Sequence, residues 1–123
     1  MSTLLLTGGN RGIGFEAAVL FAKTEQFSKI ILTVRSADKG PPTISAVAGK
    51  SGKPESMFAF QVLDLASSKS VTAAVAELPS GIDAMVLNAG GLGSERLTAE
   101  GISENFAMNV LGNVGLVEGL IGA

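Results

Sequence analysis

A glycine-rich segment near the amino terminus carries the clearest chemical signal in this chain of 123 residues. It combines four glycines with polar, basic and apolar residues in the order Thr7-Gly8-Gly9-Asn10-Arg11-Gly12-Ile13-Gly14. Glycines permit backbone angles that side chains forbid, and they let backbone N–H groups come close to a pyrophosphate. The segment therefore predicts a phosphate-binding turn, with an ordinary tight turn as the alternative.

The residues on either side of this turn predict a strand before it and a helix after it. The first strand is predicted over residues 1–7, because residues 4–6 are three consecutive leucines and a run without alternation is typical of a strand buried on both faces. After the turn, Ile13, Ala17 and Phe21 recur at helical spacing. A glycine turn between a strand and a helix is the context in which such a segment holds phosphate.

Three further strands are predicted, over residues 29–34, 57–62 and 83–87. Residues 36–42 are predicted to form a loop because they contain two consecutive prolines, and a weak helix follows over residues 43–50. Ser67 or Ser68 is predicted to cap the next helix, and residues 102–123 are predicted to form a long helix interrupted by glycines. This alternation predicts an α/β fold with a Rossmann-type, doubly wound parallel sheet. We expect the strand order 3-2-1-4, three layers, and a single domain over residues 1–123.

The candidate residues all follow predicted strands. Gly8, Arg35, Asp64 and Asn88 come after the first, second, third and fourth strands respectively. Because ligands of open α/β sheets bind outside the carboxyl ends of the strands, these four positions are expected to share one site.

Composition excludes several other kinds of function. The formal net charge of −2 provides no basic patch, which argues against nucleic acid as a partner. There is no apolar run long enough for a membrane span and no signal peptide, so a soluble, cytoplasmic protein with no membrane partner is predicted. The chain has no Cys and no His, which removes thiol chemistry and a Ser-His-Asp triad, and no metal site is predicted.

The chain resembles the short-chain dehydrogenase/reductase family over its whole length. Residues 7–14 fit the family's Thr-Gly-x-x-x-Gly-x-Gly turn, Asp64-Leu65 is similar to its acidic contact near the adenine, and Asn88-Ala89-Gly90 is similar to its Asn-Ala-Gly turn. Asn109 matches the helix asparagine of the family's catalytic tetrad, and the run Asn109-Val110-Leu111-Gly112 resembles the carbonyl-reductase and retinol-dehydrogenase-like branch.

The resemblance implies a set of cofactor contacts and one catalytic residue, Asn109. The implied cofactor-binding residues are Thr7, Gly8, Asn10, Arg11, Gly12, Ile13, Gly14, Arg35, Ser36, Asp64, Leu65, Asn88, Ala89 and Gly90. Three of these positions keep structural alternatives. Asp64 could cap or precede a helix, Asn88 could be a turn former, and Asn109 could be an ordinary polar helix residue.

The residues after the second strand predict the cofactor NADP(H). An NAD site of this shape has Asp or Glu about 20 residues beyond the turn, whereas this chain has Thr33-Val34-Arg35-Ser36. A guanidinium suits the 2′-phosphate of NADP(H), and Arg11 adds a second positive group. The alternative is that Arg35 is an ordinary solvated surface charge.

The resemblance implies hydride transfer to a carbonyl or from an alcohol, but the chain lacks most of the family's catalytic residues. It contains no Tyr, so the family's Tyr-x-x-x-Lys motif is absent, and only Asn109 of the tetrad is present. Since such domains often have roughly 250 residues, we expect a fragment of a longer oxidoreductase that is inactive alone. The alternatives are an inactive half-domain that binds nucleotide or a partner, and a non-functional gene product.

The last predicted helix is apolar on nearly every side, so it is expected to be covered by other structure. One stripe of this helix consists of Ile102, Phe106, Val110, Val114, Val117 and Ile121. In the family this helix packs across a subunit interface. The resemblance therefore implies a homo-oligomer formed through residues 102–121.

Overall fold

The computed structural model describes residues 2–10, 12–90 and 96–121. The chain divides into two compact regions. The sheet region comprises residues 1–62 and 81–88, and the helical region comprises residues 63–80 and 89–123.

Four parallel strands form one sheet in the sheet region. They are β1 (Thr3–Leu6), β2 (Lys29–Val34), β3 (Phe58–Val62) and β4 (Ala84–Val86). Their order is β3-β2-β1-β4, which confirms the predicted order. In the register, Leu4 of β1 lies opposite Ile30 of β2 and Ala84 of β4. The predicted bounds of β2 are confirmed, whereas β1, β3 and β4 are shorter than predicted.

Two helices of the sheet region supply the apolar side chains that pack against these strands. Helix α1 (Gly12–Thr24) follows the glycine turn, and α2 (Gly40–Ser51) follows β2. Residues of α1 spaced three or four apart are buried, as expected for a helix with one face on a core. The core cluster consists of Leu4, Leu6, Ala18, Val19, Ala22, Ile30, Leu32, Val47, Ala48 and Phe58. With its flanking helices, this sheet is a Rossmann-type α/β fold.

The prediction of a loop over residues 36–42 is wrong. A 3-10 turn (Ala37–Lys39) leads directly into α2, whose first turn contains Pro41 and Pro42. The first N–H groups of a helix have no partner inside the helix, so proline loses nothing there. The helix ends at Gly52, whose left-handed φ of 74° and N–H bond to the Ala48 carbonyl are typical of a helix C-terminus.

Helix α3 (Ser68–Glu77) opens the helical region and has the predicted serine cap. The Oγ of Ser67 accepts a hydrogen bond from the Ser70 N–H at 3.2 Å. Val71, Ala74 and Leu78 are buried on one side of this segment.

The predicted glycine interruptions of the last helix are absent from residues 104–121. Helix α4 (Glu104–Phe106), a π-helical turn (Ala107–Leu111) and α5 (Gly112–Ile121) follow one another without a break. A Cβ on Gly112 would lie 2.8 Å from the Leu65 Cβ, and one on Gly119 would lie 2.7 Å from the Val75 Cγ2. The glycines therefore let α5 approach α3 closely within the helical region.

Most of the predicted stripe on this helix is exposed. Phe106, Val110, Val114 and Ile121 are 50%, 42%, 48% and 73% exposed, and we call these four residues the apolar stripe. Across residues 2–10, 12–90 and 96–121, the helices are too short or too polar to cross a bilayer.

Candidate cofactor site

Hydrogen bonds join the start of the glycine turn to the end of β4 and the residue that follows it. The Thr7 N–H donates to the Val86 carbonyl at 3.0 Å, and the Thr7 Oγ1 accepts from the Asn88 N–H at 3.0 Å. The Asn88 Nδ2 donates to the Gly8 carbonyl at 3.3 Å. Asn88 therefore holds the predicted cofactor segment directly, and its own contact with a cofactor stays a prediction.

The other side of the same turn is fastened to β2. The Gly8 N–H donates to the Oγ1 of Thr33 at 3.0 Å. Gly8 has a φ of 74°, in the left-handed region that favours glycine. Next to it, a Cβ on Gly9 would lie 2.8 Å from the Leu32 Cδ2, so the turn lies directly against β2.

The close approach of α1 to the turn depends on Gly14. A Cβ at this position would clash with the Gly8 carbonyl oxygen and lie 2.5 Å from the Asn88 Nδ2. Glycine at position 14 therefore lets the first turn of α1 lie against the start of the glycine segment, the close packing that the third glycine of a dinucleotide-binding turn provides.

The amino-terminal end of α1 is suited to an anion. Gly12 is exposed, Ile13 is 83% exposed, and the first turn contains no acidic side chain. The backbone N–H groups and dipole of a helix start favour negative charge, and here no side-chain carboxylate competes for them. Asn10 is half-buried in the turn that precedes the helix. Arg11 lies outside the described residues, so its predicted cofactor contact stays a prediction. The other residues of the turn fit a pyrophosphate.

The carboxyl end of β2 presents a cation. Arg35 directly follows β2 and is exposed, and Ser36 is half-buried. A hydrogen bond from the Ser36 side chain holds the pKa of Asp38 below its ordinary value of 3.8, so this carboxylate is ionised at neutral pH. Positions 35 and 36 themselves carry no acid, so they lack the acidic partner of an NAD ribose.

In the helical region, Asp64 shapes the turn that leads to α3. Its Oδ1 accepts from the Ala66 N–H at 3.0 Å, and its own N–H donates to the Ser70 Oγ at 2.8 Å. The alternative that Asp64 acts structurally near a helix start therefore has direct support. Leu65, which follows it, is buried. The predicted contact of these two residues with an adenine stays a prediction.

Asn109 lies in the π-helical turn and close to the predicted Asn-Ala-Gly segment. A Cβ on Gly90 would lie 2.7 Å from the Asn109 Oδ1, so a side chain at position 90 would require this amide to shift. The Asn109 carbonyl accepts from the Asn113 Nδ2 at 3.0 Å. Ala89 is half-buried and Gly90 is exposed. The predicted catalytic role of Asn109 stays a prediction, and so does its alternative as an ordinary polar helix residue.

An apolar cavity of about 470 Å³ lies within the helical region, between α3 and the helices after residue 102. Its lining includes Leu65 but not Asp64, and most of its other residues are apolar side chains and glycines. Of the predicted cofactor residues described in this region, Leu65 alone lines it, so the cofactor prediction does not rest on this cavity.

Sequence analysis missed Thr33 as a site residue. Among residues 30–34 it is the one polar side chain in a strand that is otherwise apolar, and it is 2% exposed. A hydroxyl in a buried strand needs a hydrogen-bond partner. This requirement could have indicated from the sequence that Thr33 contacts another segment. The partner, Gly8, could not be identified from spacing alone.

The sheet order and the position of the glycine turn at the end of β1 are those of a Rossmann-type α/β fold. The profile of the short chain dehydrogenase family matches residues 2–122, and the chain belongs to that family. A relative, the short chain dehydrogenase FGM9 of Gibberella zeae, is 36% identical over 123 residues, which cover 98% of this chain and 36% of the relative. A WW domain-containing oxidoreductase of Drosophila melanogaster is 36% identical over 91 residues, covering 72% of this chain and 22% of its own.

Solved structures give the same fold. A 3-oxoacyl-(acyl-carrier protein) reductase from Brucella melitensis superimposes with a TM-score of 0.71 at 30% identity, covering 99% of this chain and 50% of the other. A short-chain dehydrogenase from Sphingobium yanoikuyae in complex with NADPH gives a TM-score of 0.73 at 23% identity, covering 98% and 47%. The chain thus spans about a third of the length of the first curated relative and about half that of these structures.

Proposed function

We propose that this chain is the NADP(H)-binding part of an oxidoreductase that transfers hydride between the nicotinamide and a carbonyl or alcohol carbon. The observation that carries the proposal is the segment Thr7-Gly8, fastened to β2 and β4 beside the exposed amino-terminal end of α1. A preorganised turn of this kind binds a pyrophosphate without first having to be ordered. Family membership supports the reaction class.

The choice of NADP(H) over NAD(H) rests on Arg35. Its guanidinium can form paired hydrogen bonds to a 2′-phosphate, and its position directly after β2 is where an NAD site has a carboxylate. The NADPH bound to the dehydrogenase from Sphingobium yanoikuyae gives independent support from a protein of the same fold.

A fluorescence titration with NADPH and NADH tests this choice. We expect wild type to prefer NADPH and Arg35→Ala to weaken NADPH binding by about tenfold or more, because a charge-assisted contact to phosphate is lost. NADH binding is expected to change little. Lys23→Ala is the matched control, since it removes an exposed positive charge from the last turn of α1. Wild-type binding of NADH at least as tight as that of NADPH contradicts the assignment.

A second candidate function, cofactor binding without turnover, is favoured by the amino-acid content of these 123 residues. They contain no Tyr, the side chain that serves as acid/base in this family, and of the tetrad only Asn109 has a counterpart. Proton transfer needs a donor within hydrogen-bond reach of the substrate oxygen. We therefore expect no NADPH consumption when the 123-residue chain is mixed with aldehydes and ketones, and measurable consumption overturns this part of the proposal.

We also propose that the apolar stripe binds a second copy of the chain. Phe106, Val110 and Val114 recur every four residues along the helical segment, and Ile121 follows two turns later. Grouped exposed apolar side chains of this kind mark interaction sites. Sedimentation velocity over a range of protein concentrations measures this association, and a monomer throughout contradicts it. The cytoplasmic location stays a prediction from the sequence.

A further inference from the structure

A buried hydroxyl connects the glycine turn to the strand that ends at Arg35. Thr33 is 2% exposed, and its Oγ1 accepts the Gly8 N–H at 3.0 Å. Arg35 is only two residues further along the chain. Thr33 therefore lies between the two points where the proposed cofactor carries negative charge, the pyrophosphate at the turn and the 2′-phosphate at Arg35.

We propose that Thr33 is a positioning residue that fixes the glycine turn relative to Arg35 and thereby contributes to the preference for NADPH over NADH. This inference rests on the proposed function. The contacts to β4, through Thr7 and Asn88, hold the turn from one side. Thr33 supplies the side-chain hydrogen bond from β2, next to the packing of Gly9 against Leu32.

The hydrogen bond from Gly8 to Thr33 affects the conformation of the glycine turn, because it fixes the direction of the Gly8 N–H. Gly8 has a left-handed φ of 74°, and its N–H is directed to β2 and satisfied by Thr33. Without this acceptor, Thr7 and Gly8 keep their hydrogen bonds to Val86 and Asn88, whereas the Gly8 N–H loses its polar contact with β2. An N–H that loses its acceptor in a partly buried place drives rearrangement toward water or another acceptor. The following N–H groups, which we expect to face the pyrophosphate, move with it.

The two nucleotides respond differently to such a rearrangement. NADPH bridges the turn and Arg35, so its affinity depends on a fixed distance between them, whereas NADH lacks the phosphate that reaches Arg35. Loss of the Thr33 hydroxyl is therefore expected to weaken NADPH binding more than NADH binding.

The test uses three variants of the whole chain. Thr33→Val removes the hydroxyl and keeps the shape, and Thr33→Ser restores an acceptor. Thr43→Val is the matched control, because Thr43 is also a buried threonine in the sheet region, 6% exposed, and its Oγ1 donates to the Lys39 carbonyl at 2.7 Å. Dissociation constants for NADPH and NADH are measured by fluorescence titration, and hydrogen exchange of the Gly8 amide is measured by NMR without nucleotide.

We expect Thr33→Val to weaken NADPH binding by about tenfold and NADH binding by about threefold, and to speed exchange of the Gly8 amide. Thr33→Ser is expected to restore both affinities to within about twofold, and Thr43→Val to leave them within about twofold of wild type. Thr33→Val with unchanged nucleotide affinities overturns the inference, as does an equal loss for both nucleotides or an equal loss in Thr43→Val.

The readouts separate this inference from the proposed function. Wild type that binds neither nucleotide overturns the proposed function and the cofactor role of Thr33 together. Wild type that binds NADPH while Thr33→Val binds it equally well overturns the role of Thr33 alone. A Gly8 amide that exchanges at the same rate in wild type and Thr33→Val overturns the hydrogen bond itself.

Discussion

The two regions of this chain differ in how their apolar side chains are buried. In the sheet region, Leu5, Leu6 and Leu32 have no exposed surface, and polar groups such as Thr33 are buried with a partner. In the helical region, Leu116 is buried, but the apolar stripe is exposed along residues 106–121. The sheet region thus has a core of fully buried strand residues, with exposed apolar side chains such as Ile13 and Leu20 on α1, whereas the helical region has a row of exposed apolar side chains, the proposed self-association surface.

This difference predicts that the sheet region contributes most to the stability of the fold and that the helical region contributes to self-association. Burial of apolar area is the main source of stability, and a wholly enclosed leucine contributes more than one that is half exposed. Exposed apolar area contributes to stability only when another surface covers it. Substitutions in the two regions should therefore have different kinds of effect.

The largest expected effect is the loss of a buried leucine from the sheet region. Leu32→Ala is expected to lower the free energy of unfolding by about 2–5 kcal/mol, because a fully enclosed side chain leaves a cavity. Leu111→Ala in the helical region, where the side chain is 40% exposed, is expected to cost less than about 1 kcal/mol. Urea denaturation followed by far-ultraviolet circular dichroism measures both. Equal losses would mean that the two regions are packed alike.

A smaller effect is expected from the glycines that let α5 approach α3. Gly112→Ala is expected to destabilise the helical region by about 1–3 kcal/mol, because its Cβ would clash with the Leu65 carbonyl oxygen, which is part of the backbone. At Gly115 the nearest atom to a new Cβ is the Val71 Cγ1 at 3.4 Å, an ordinary contact. Gly115→Ala is therefore expected to stabilise the helix by about 0.5–1 kcal/mol. Thermal unfolding measures the change in unfolding temperature of both variants. Changes of the same sign would contradict the packing described for α5.

The smallest effect on stability is expected on the apolar stripe. Val114→Glu is expected to change the free energy of unfolding by less than about 0.5 kcal/mol, because Val114 is 48% exposed. Its effect should be on association, since a carboxylate in an apolar interface must be desolvated. Leu20→Glu in α1, where the side chain is 64% exposed, is the matched control outside the stripe. Sedimentation velocity should show weaker self-association for Val114→Glu alone, and equal weakening by Leu20→Glu would remove the stripe as the interface.

The sheet could be predicted well because its signals are local and agree with one another. Residues 30–34 are β-branched or apolar, and the strand predicted over residues 29–34 matches β2 at both ends. Ser67 was one of two serines predicted to cap α3, and its Oγ does so. The strand order followed from the handedness of parallel crossovers, which holds without any knowledge of side-chain packing.

The errors have particular physical causes. Pro41 and Pro42 predicted a loop because proline disrupts helix interiors, but the first turn tolerates them. Glycines in the last helix predicted interruptions, yet Gly112 and Gly119 are compensated by close packing against Leu65 and Val75. The prolines are tolerated because they lie in the first turn of α2, and the glycines because other residues pack closely against them. Neither circumstance can be read from the residue type alone.

Most residues of the candidate site could be predicted from the sequence, but the hydrogen bonds that join them could not. The glycine turn and Asn88 were identified from motifs, but the bonds that join them link residues 80 and 81 positions apart. Thr33 was missed because its partner lies 25 positions away in the sequence. Such pairs are set by the strand order, so they became visible only once β2 and β4 were known to lie on either side of β1.

The bonds from Asn88 to Thr7 and Gly8 also affect when the site forms during synthesis. The glycine turn leaves the ribosome early, but it cannot take its final form until residue 88 has been added and β4 has paired with β1. Long-range contacts of this kind form late, because a long loop must first be closed. A nascent chain that ends before Asn88 should therefore be unable to bind nucleotide, and the cofactor can stabilise the fold only after this stage of translation.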